Sequence, residues 1–228
     1  PGSTFESVHV QGTRNLVNES VSSGVKRIFY QSALGADIQS PFPYLKTKAE
    51  AEKIVISSNI PYTIFRPSLI VGKGDGFTER MKQLISAGPV VPVPGSGLAR
   101  FQPVYIRDWL QCFRLALING VSGNRIYEFG GPEQLTYNEI LKEIIDVLAI
   151  KKPVIHIPMG VARFSLPFMG AVRSVASVLG REIPPVTDEL LSLLGMDNIC
   201  EKDSIQKNFG FTPARFSEAL REFLQGGS

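Results

Sequence analysis

Val25-Lys26-Arg27-Ile28-Phe29-Tyr30-Gln31-Ser32 is followed by a polar loop broken by Pro41 and Pro43, and then by Tyr44-Leu45-Lys46-Thr47-Lys48 at the head of a helix. The first run is short, apolar, and rich in β-branched and aromatic residues, which suits a strand buried in a parallel sheet. Pro41 and Pro43 bar helix before Tyr44. From Tyr44 to Ser57 there is neither Gly nor Pro, and Ala, Glu and Lys favour helix. Tyr44 and Lys48 are one helical turn apart and share a face. A serine at a strand end, a tyrosine and a lysine can therefore meet in one cleft as a proton-transfer site.

Working outward, Phe5 to Val21 reads as a helix with Phe5, Val8, Gly12, Leu16 and Val17 near one face and Gly24 as its stop. After the Tyr44 helix, Asn59-Ile60-Pro61 is a break and Tyr62 to Arg66 a second strand. Helix, strand, helix, strand is the rhythm of a parallel sheet with crossover helices. A helix is expected from Phe77 to about Ala87. Val90 to Gly97, rich in Pro and Gly, reads as loop. Phe101 to Ile106 reads as a strand with a proline at its edge, and Asp108 as the cap of a helix running towards Gly120. Arg125 to Phe129 is a strand closed by Gly130-Gly131-Pro132. Thr136-Tyr137-Asn138-Glu139 is a capping box before an amphipathic helix.

Beyond Lys152 the character changes. Val154 to Ile157 reads as a short strand. Met159 to Leu179 is apolar, but Arg163 and Arg173 interrupt it and Pro167 would kink it, so it reads as helix packing and not as a membrane span. Thr187, Asp203 and Ser217 are expected to cap three short helices. Two domains follow: residues 1–152 as a parallel α/β core with interleaved segments, and residues 153–228 as a mainly helical region.

Composition narrows the function. The 228 residues are 43% hydrophobic and 20% charged, an ordinary globular balance. A net charge of +3 is too small and too evenly spread to point to nucleic acid. Cys112 and Cys200 lie far apart with only His9 and His156 to help, so no metal site is expected and a reducing, cytoplasmic setting is the simpler reading. The polar start Pro1-Gly2-Ser3-Thr4 is no signal peptide, and its lack of a methionine suggests part of a longer protein.

Each motif has a plainer reading beside the chemical one. Tyr44 and Lys48 could be surface neighbours. Their placement between two parallel strands, after a serine at a strand end, favours the site. There a nearby ammonium would favour the phenolate, making Tyr44 a usable acid or base near neutral pH, and Ser32 could hydrogen-bond the reacting oxygen. Gly72-x-Gly74-x-Gly76 lacks the G-x-G-x-x-G spacing, and no acid ends a strand about 20 residues later, so it reads as a substrate-side loop. His9 and His156 read as packing residues. Arg66, Arg100 and Arg107 read as surface charges, with Arg100 a candidate contact for an anionic ligand.

Taken together, these stretches resemble the extended and atypical short-chain dehydrogenase/reductases, the NAD-dependent epimerase/dehydratase superfamily. Val8-His9-Val10-Gln11-Gly12-Thr13-Arg14-Asn15-Leu16 resembles the helix after the family's fourth strand. Ile28 to Ala36 resembles its fifth strand with the catalytic serine, and Tyr44 to Glu52 its catalytic helix. Arg66-Pro67-Ser68 through Asp75 resembles the sixth strand and the turn near nicotinamide. Phe101 to Asp108 and Tyr127 to Pro132 continue the likeness. The branch it most resembles is that of the nucleotide-binding accessory subunit of respiratory complex I.

The resemblance implies an α/β fold: the C-terminal half of a doubly wound parallel sheet with a small, mostly helical substrate-side region. It implies NAD or NADP as cofactor, Tyr44 as acid/base and Lys48 on the nicotinamide ribose. It also implies Ser32 on the substrate oxygen, and Pro67 and Ser68 beside the nicotinamide. His9 stands where many members have a relay asparagine. The family's Gly-rich pyrophosphate turn and ribose-binding acid are not among these residues, so a parent longer by roughly 80 residues is expected. The chain alone should then be inactive and free to self-associate through a bare sheet edge. The expected substrate is a small carbonyl, a hydroxyl compound or a nucleotide sugar. The other reading is a non-catalytic nucleotide-binding protein of an assembly or a redox sensor.

Overall fold

The structure is a computed structural model describing residues 4–118, 124–168 and 187–225. The chain divides into two units that interleave in sequence: Pro1–Ser68, Arg107–Gly130 and Cys200–Pro213 form the first, and Leu69–Ile106, Gly131–Ile199 and Ala214–Ser228 the second. Residue 152 falls inside the second.

The first unit is built on a parallel sheet. β1 (Ile28–Gln31) pairs with β2 (Tyr62–Pro67), and β2 with β7 (Arg125–Phe129), in the order β1-β2-β7. Side chains alternate across it. On one face Ile28 and Ile64 meet Val17 of α1 (Gly12–Ser22) and Val55 of α2 (Pro43–Ile56). On the other, Phe29 and Phe65 meet Trp109 and Phe113 of α4 (Ile106–Ile118), with ring centroids 5.4–6.5 Å apart. Helices therefore cover both faces, as the α/β reading requires.

Two local features differ from expectation. Pro43 is the first residue of α2, not a residue before it; its missing N–H would be unpaired there anyway. Ahead of α1, residues Glu6–Gln11 form a π-helical turn. Its i→i+5 bonding inserts a residue and breaks the 3.6-residue phase. Val10 and Val17 are buried, while Val8 and Leu16 stand 55% and 64% exposed. The apolar face drawn through Phe5, Val8 and Leu16 is thus not the buried one.

The second unit holds three two-stranded pairings: β3 (Ile70–Val71) with β6 (Val104–Tyr105), β4 (Val91–Pro94) with β9 (Val154–Ile157), and β5 (Arg100–Phe101) antiparallel to β8 (Leu135–Thr136). Its core gathers Met81 and Ile85 of α3 (Gly76–Ala87), Ile140, Leu141 and Ile144 of α5 (Tyr137–Val147), and Phe216 and Leu220 of the last helix (Phe216–Gln225).

The segment 90–97 is corrected here: it contains strand β4. Val91 N donates to Pro153 O at 2.9 Å and Gly95 N to Ile157 O at 2.8 Å. In this alternation the nitrogens of Pro92 and Pro94 point away from β9, where no N–H is needed. The strand expected over 101–106 is two short strands parted at Gln102-Pro103. Gly131 backs that break: a Cβ there would strike Pro103 O.

The capping box is present in full at Thr136 and Glu139, and Thr187 caps Asp188–Leu193. Three expected caps are not. Asp108 lies inside the first turn of α4, and Asp203 sits at φ 60° with no cap bond to the helix Ser204–Phe209. Ser217 lies inside the last helix, whose first amide, Phe216 N, is instead taken by Glu133 Oε2 at 3.0 Å. The apolar stretch after Met159 begins as helix Met159–Ser165 and a 3-10 turn Leu166–Phe168; residues 169–186 lie outside the described residues. Among the described residues no helix is long and apolar enough to cross a membrane.

Candidate active site

The C-terminal end of β1 and the first two turns of α2 bring Ser32, Tyr44 and Lys48 into the same unit. Past Gln31 the chain follows the carbonyls of β2: Ser32 N donates to Phe65 O at 2.7 Å and Leu34 N to Pro67 O at 3.0 Å. This fixes Ser32 at the strand end, 2% exposed, and its Oγ has no hydrogen-bond partner among the described residues. A buried hydroxyl left so costs about 1–3 kcal/mol, which marks a position kept for something other than packing.

Lys48 Nζ donates to Gln31 O at 3.1 Å and lies 5.6 Å from the centroid of the Tyr30 ring. The ammonium has three donors, so the backbone bond leaves capacity for a further acceptor. Burial lowers the Lys48 pKa, against an opposing pull from Glu52.

Tyr44 packs edge-on against Phe5 and His9, each at 5.6 Å. Spacing alone suggested that Lys48 would lower its pKa. The structure gives the other direction: burial pushes the phenol above its ordinary value. Tyr44 is therefore protonated at neutral pH, the state of a general acid.

His9 joins this group from the π-helical turn. Its Nδ1 lies 2.9 Å from Thr47 Oγ1, whose proton goes to Pro43 O at 2.7 Å. The Thr47 oxygen thus accepts from Nδ1–H, and this network assigns Nε2 as the unprotonated nitrogen. Burial, aided by the Lys48 charge, holds His9 below its usual pKa.

Pro67 ends β2 in register with Phe129, and Ser68 N donates to Phe129 O at 2.9 Å; both residues are buried. Arg100 lies in the second unit, where its guanidinium binds Asp197 Oδ2 at 2.6 and 3.0 Å. The Gly72–Gly76 turn is closed by Asp75, which accepts from Gly72 N at 2.9 Å and Thr78 N at 2.6 Å. Its carboxylate takes the helix N-terminus that a phosphate would need, in keeping with the wrong glycine spacing.

Two neighbours of the site were not read from the sequence. Thr47 binds His9 and carries no signal of its own. Glu52 is 3% exposed and grips Arg66 through both oxygens, at 2.8 and 2.6 Å. The signal for Glu52 was its place one turn beyond Lys48.

Residues 2–88 match a family described as NAD(P)H-binding. A relative is the NADH dehydrogenase [ubiquinone] 1 alpha subcomplex subunit 9 of Arabidopsis thaliana, mitochondrial, 30% identical over 141 residues, 61% of this chain and 35% of that protein. Another is the 3beta-hydroxysteroid-dehydrogenase/decarboxylase isoform 1 of the same plant, 25% identical over 240 residues, 91% of this chain and 54% of that protein. Among solved structures, a dTDP-glucose 4,6-dehydratase of Bacillus anthracis in complex with NAD superposes with a TM-score of 0.68 at 17% identity, over 97% of this chain and 68% of that one. The chain is thus similar to NAD(P)-binding proteins of the epimerase/dehydratase-type short-chain dehydrogenase/reductase superfamily. It spans about a third to a half of the length of these two curated relatives.

The residues present fit the nicotinamide side of a dinucleotide. The unpartnered Ser32 hydroxyl and the spare donors of Lys48 lie at the strand end. The pyrophosphate side finds no matching G-x-G-x-x-G turn in the sequence.

Proposed function

We propose that this chain carries the proton-transfer half of an NAD(P)-dependent oxidoreductase or epimerase/dehydratase. The observation that carries the reading is the buried, unpartnered Ser32 Oγ at the same strand end as the Lys48 ammonium. The nicotinamide, when bound, supplies or takes the hydride. The chain's own residues do the rest. Ser32 donates to the substrate oxygen and orients it. Tyr44, neutral because it is buried, gives its proton to that oxygen on reduction, and the phenolate so formed takes a proton back in the oxidising direction. Lys48 holds the ribose, and Pro67 and Ser68 flank the nicotinamide. In the second unit, Arg100 offers its guanidinium, now held by Asp197, to an anionic ligand.

The substrate class proposed is a carbonyl or hydroxyl compound, including nucleotide sugars, such as the UDP-glucuronic acid bound by a Bacillus cereus 4-epimerase of like fold. A cytoplasmic setting is part of this reading. A second reading is favoured by the complex I relative: a nucleotide-binding subunit without turnover. The full-length protein separates the two. It should co-purify with NAD(H) or NADP(H), and Tyr44→Phe should abolish turnover across a carbonyl panel while leaving the nucleotide bound. Bound nucleotide with no Tyr44-dependent turnover on any compound supports the second reading instead.

A further inference from the structure

Four charged groups lie in a row across the first unit. Lys48 and Glu52 are one turn apart on α2, Arg66 is on β2 and Glu128 on β7. Arg66 Nε and one terminal nitrogen grip Glu52 at 2.8 and 2.6 Å, and its other terminal nitrogen binds Glu128 at 2.9 Å. The Glu52 side chain is 4% exposed and that of Arg66 21%, while that of Glu128 is 48% exposed.

Consider what Glu52 would do without Arg66. A carboxylate cannot stay buried without a partner. The ammonium of Lys48, one turn away, is the cation its own helix offers. Capture there would draw Nζ off Gln31 O, where it now points to the strand end that carries Ser32. With both carboxylate oxygens held in a bidentate grip, Glu52 acts on Lys48 only through its charge.

We propose that Arg66 is a positioning residue: by holding Glu52 through both oxygens, it keeps the Lys48 ammonium on Gln31 O and available to the site. Glu128 completes the arrangement by holding the other end of the guanidinium. The proposal rests on the reading of Lys48 as a site residue, but its test does not need turnover. The groups facing Lys48 are Tyr30 on β1, Glu52 on its own helix and His9 on the π-helical turn, while Arg66 faces Glu52 and Glu128, and Glu128 also faces Cys200. Burial holds Lys48 low while the Glu52 charge opposes it, so the state of Lys48 reports on Glu52.

The test is the acylation rate of Lys48 against pH, followed by mass spectrometry on the full-length protein, with folding checked by thermal melting. Arg66→Met should slow Lys48 acylation about tenfold at fixed pH, because an ammonium paired with the Glu52 carboxylate gives up its proton less readily. Glu52→Gln should react at least as fast as the parent. The double variant Glu52→Gln/Arg66→Met should match Glu52→Gln, because with no carboxylate to restrain Arg66 has no further effect on Lys48. A merely structural role predicts the reverse, a double variant slower or faster than Glu52→Gln. If Arg66→Met does not fold, Arg66→Lys, which keeps a cation but not the two-oxygen grip, takes its place and should also slow Lys48 acylation relative to the parent. Unchanged Lys48 reactivity in a folded Arg66→Met overturns the proposal, as does a double variant that departs from Glu52→Gln. Absence of nucleotide from the parent would instead remove the functional reading and leave this result standing.

Discussion

Tyr44, His9 and Lys48 show how burial and charge divide proton states among three neighbours. Burial holds Tyr44 neutral and lowers the Lys48 pKa, and burial with the Lys48 charge keeps His9 neutral. A folded-state histidine pKa below the unfolded value of 6.5 gives stability that is present above that value and lost as pH falls through the folded one. Urea unfolding should therefore weaken progressively below about pH 6.5, and His9→Gln should flatten that limb while keeping a partner for Thr47. An acid limb unchanged in His9→Gln would place the titration elsewhere. Arg66→Met belongs at this scale too. It should destabilise by less than the roughly 3–5 kcal/mol of a fully buried pair, since Arg66 is partly exposed and screened. Chemical denaturation of the single and double variants measures it, and the double variant should recover most of the loss.

Among elements, α5 shows how local code and tertiary contact divide the work. Thr136 Oγ1 accepts from Glu139 N at 3.2 Å, and Glu139 Oε2 accepts from Thr136 N at 2.7 Å. Thr136→Ala should cost about 1 kcal/mol, the usual worth of such a cap. The helix's buried stripe, Ile140, Leu141 and Ile144, packs in one cluster with Leu220 of the last helix, which is fully buried. Leu220→Ala should cost about 2–5 kcal/mol, well above the cap. Equal losses for the two variants in denaturant midpoints would mean that the cluster refills the space. The π-helical turn and β4 are elements of the other kind. No local rule marks Glu6–Gln11 as wider than an α-turn, and Pro92 and Pro94 argue against a strand until their neighbour β9 is known.

For the whole molecule, the sheet order β1-β2-β7 leaves the outer edge of β1 unpaired among the described residues. Such an edge templates pairing with another chain. The 228-residue chain by itself should therefore self-associate with rising concentration in sedimentation velocity. The same chain, with no G-x-G-x-x-G turn, should bind NADH and NADPH more weakly than micromolar by calorimetry. Micromolar binding by a monomer would overturn both expectations together.

The sequence by itself determined the parallel α/β sheet, the capping box at Thr136, and the placing of Ser32, Tyr44 and Lys48 at a strand end and on one helical face. These follow from spacing within a turn or a strand, because period and cap chemistry act between near neighbours. Only the tertiary structure decided that Val8 and Leu16 face outward, that 91–94 is a strand, and which segments make up each of the two units. It also decided the charges. Whether Tyr44 is raised or lowered, and whether Glu52 takes Lys48 or Arg66, depends on burial and on partners brought from β2 and β7. Those energies scale with solvent exclusion and distance in space, and neither is written in the separation of residues along the chain.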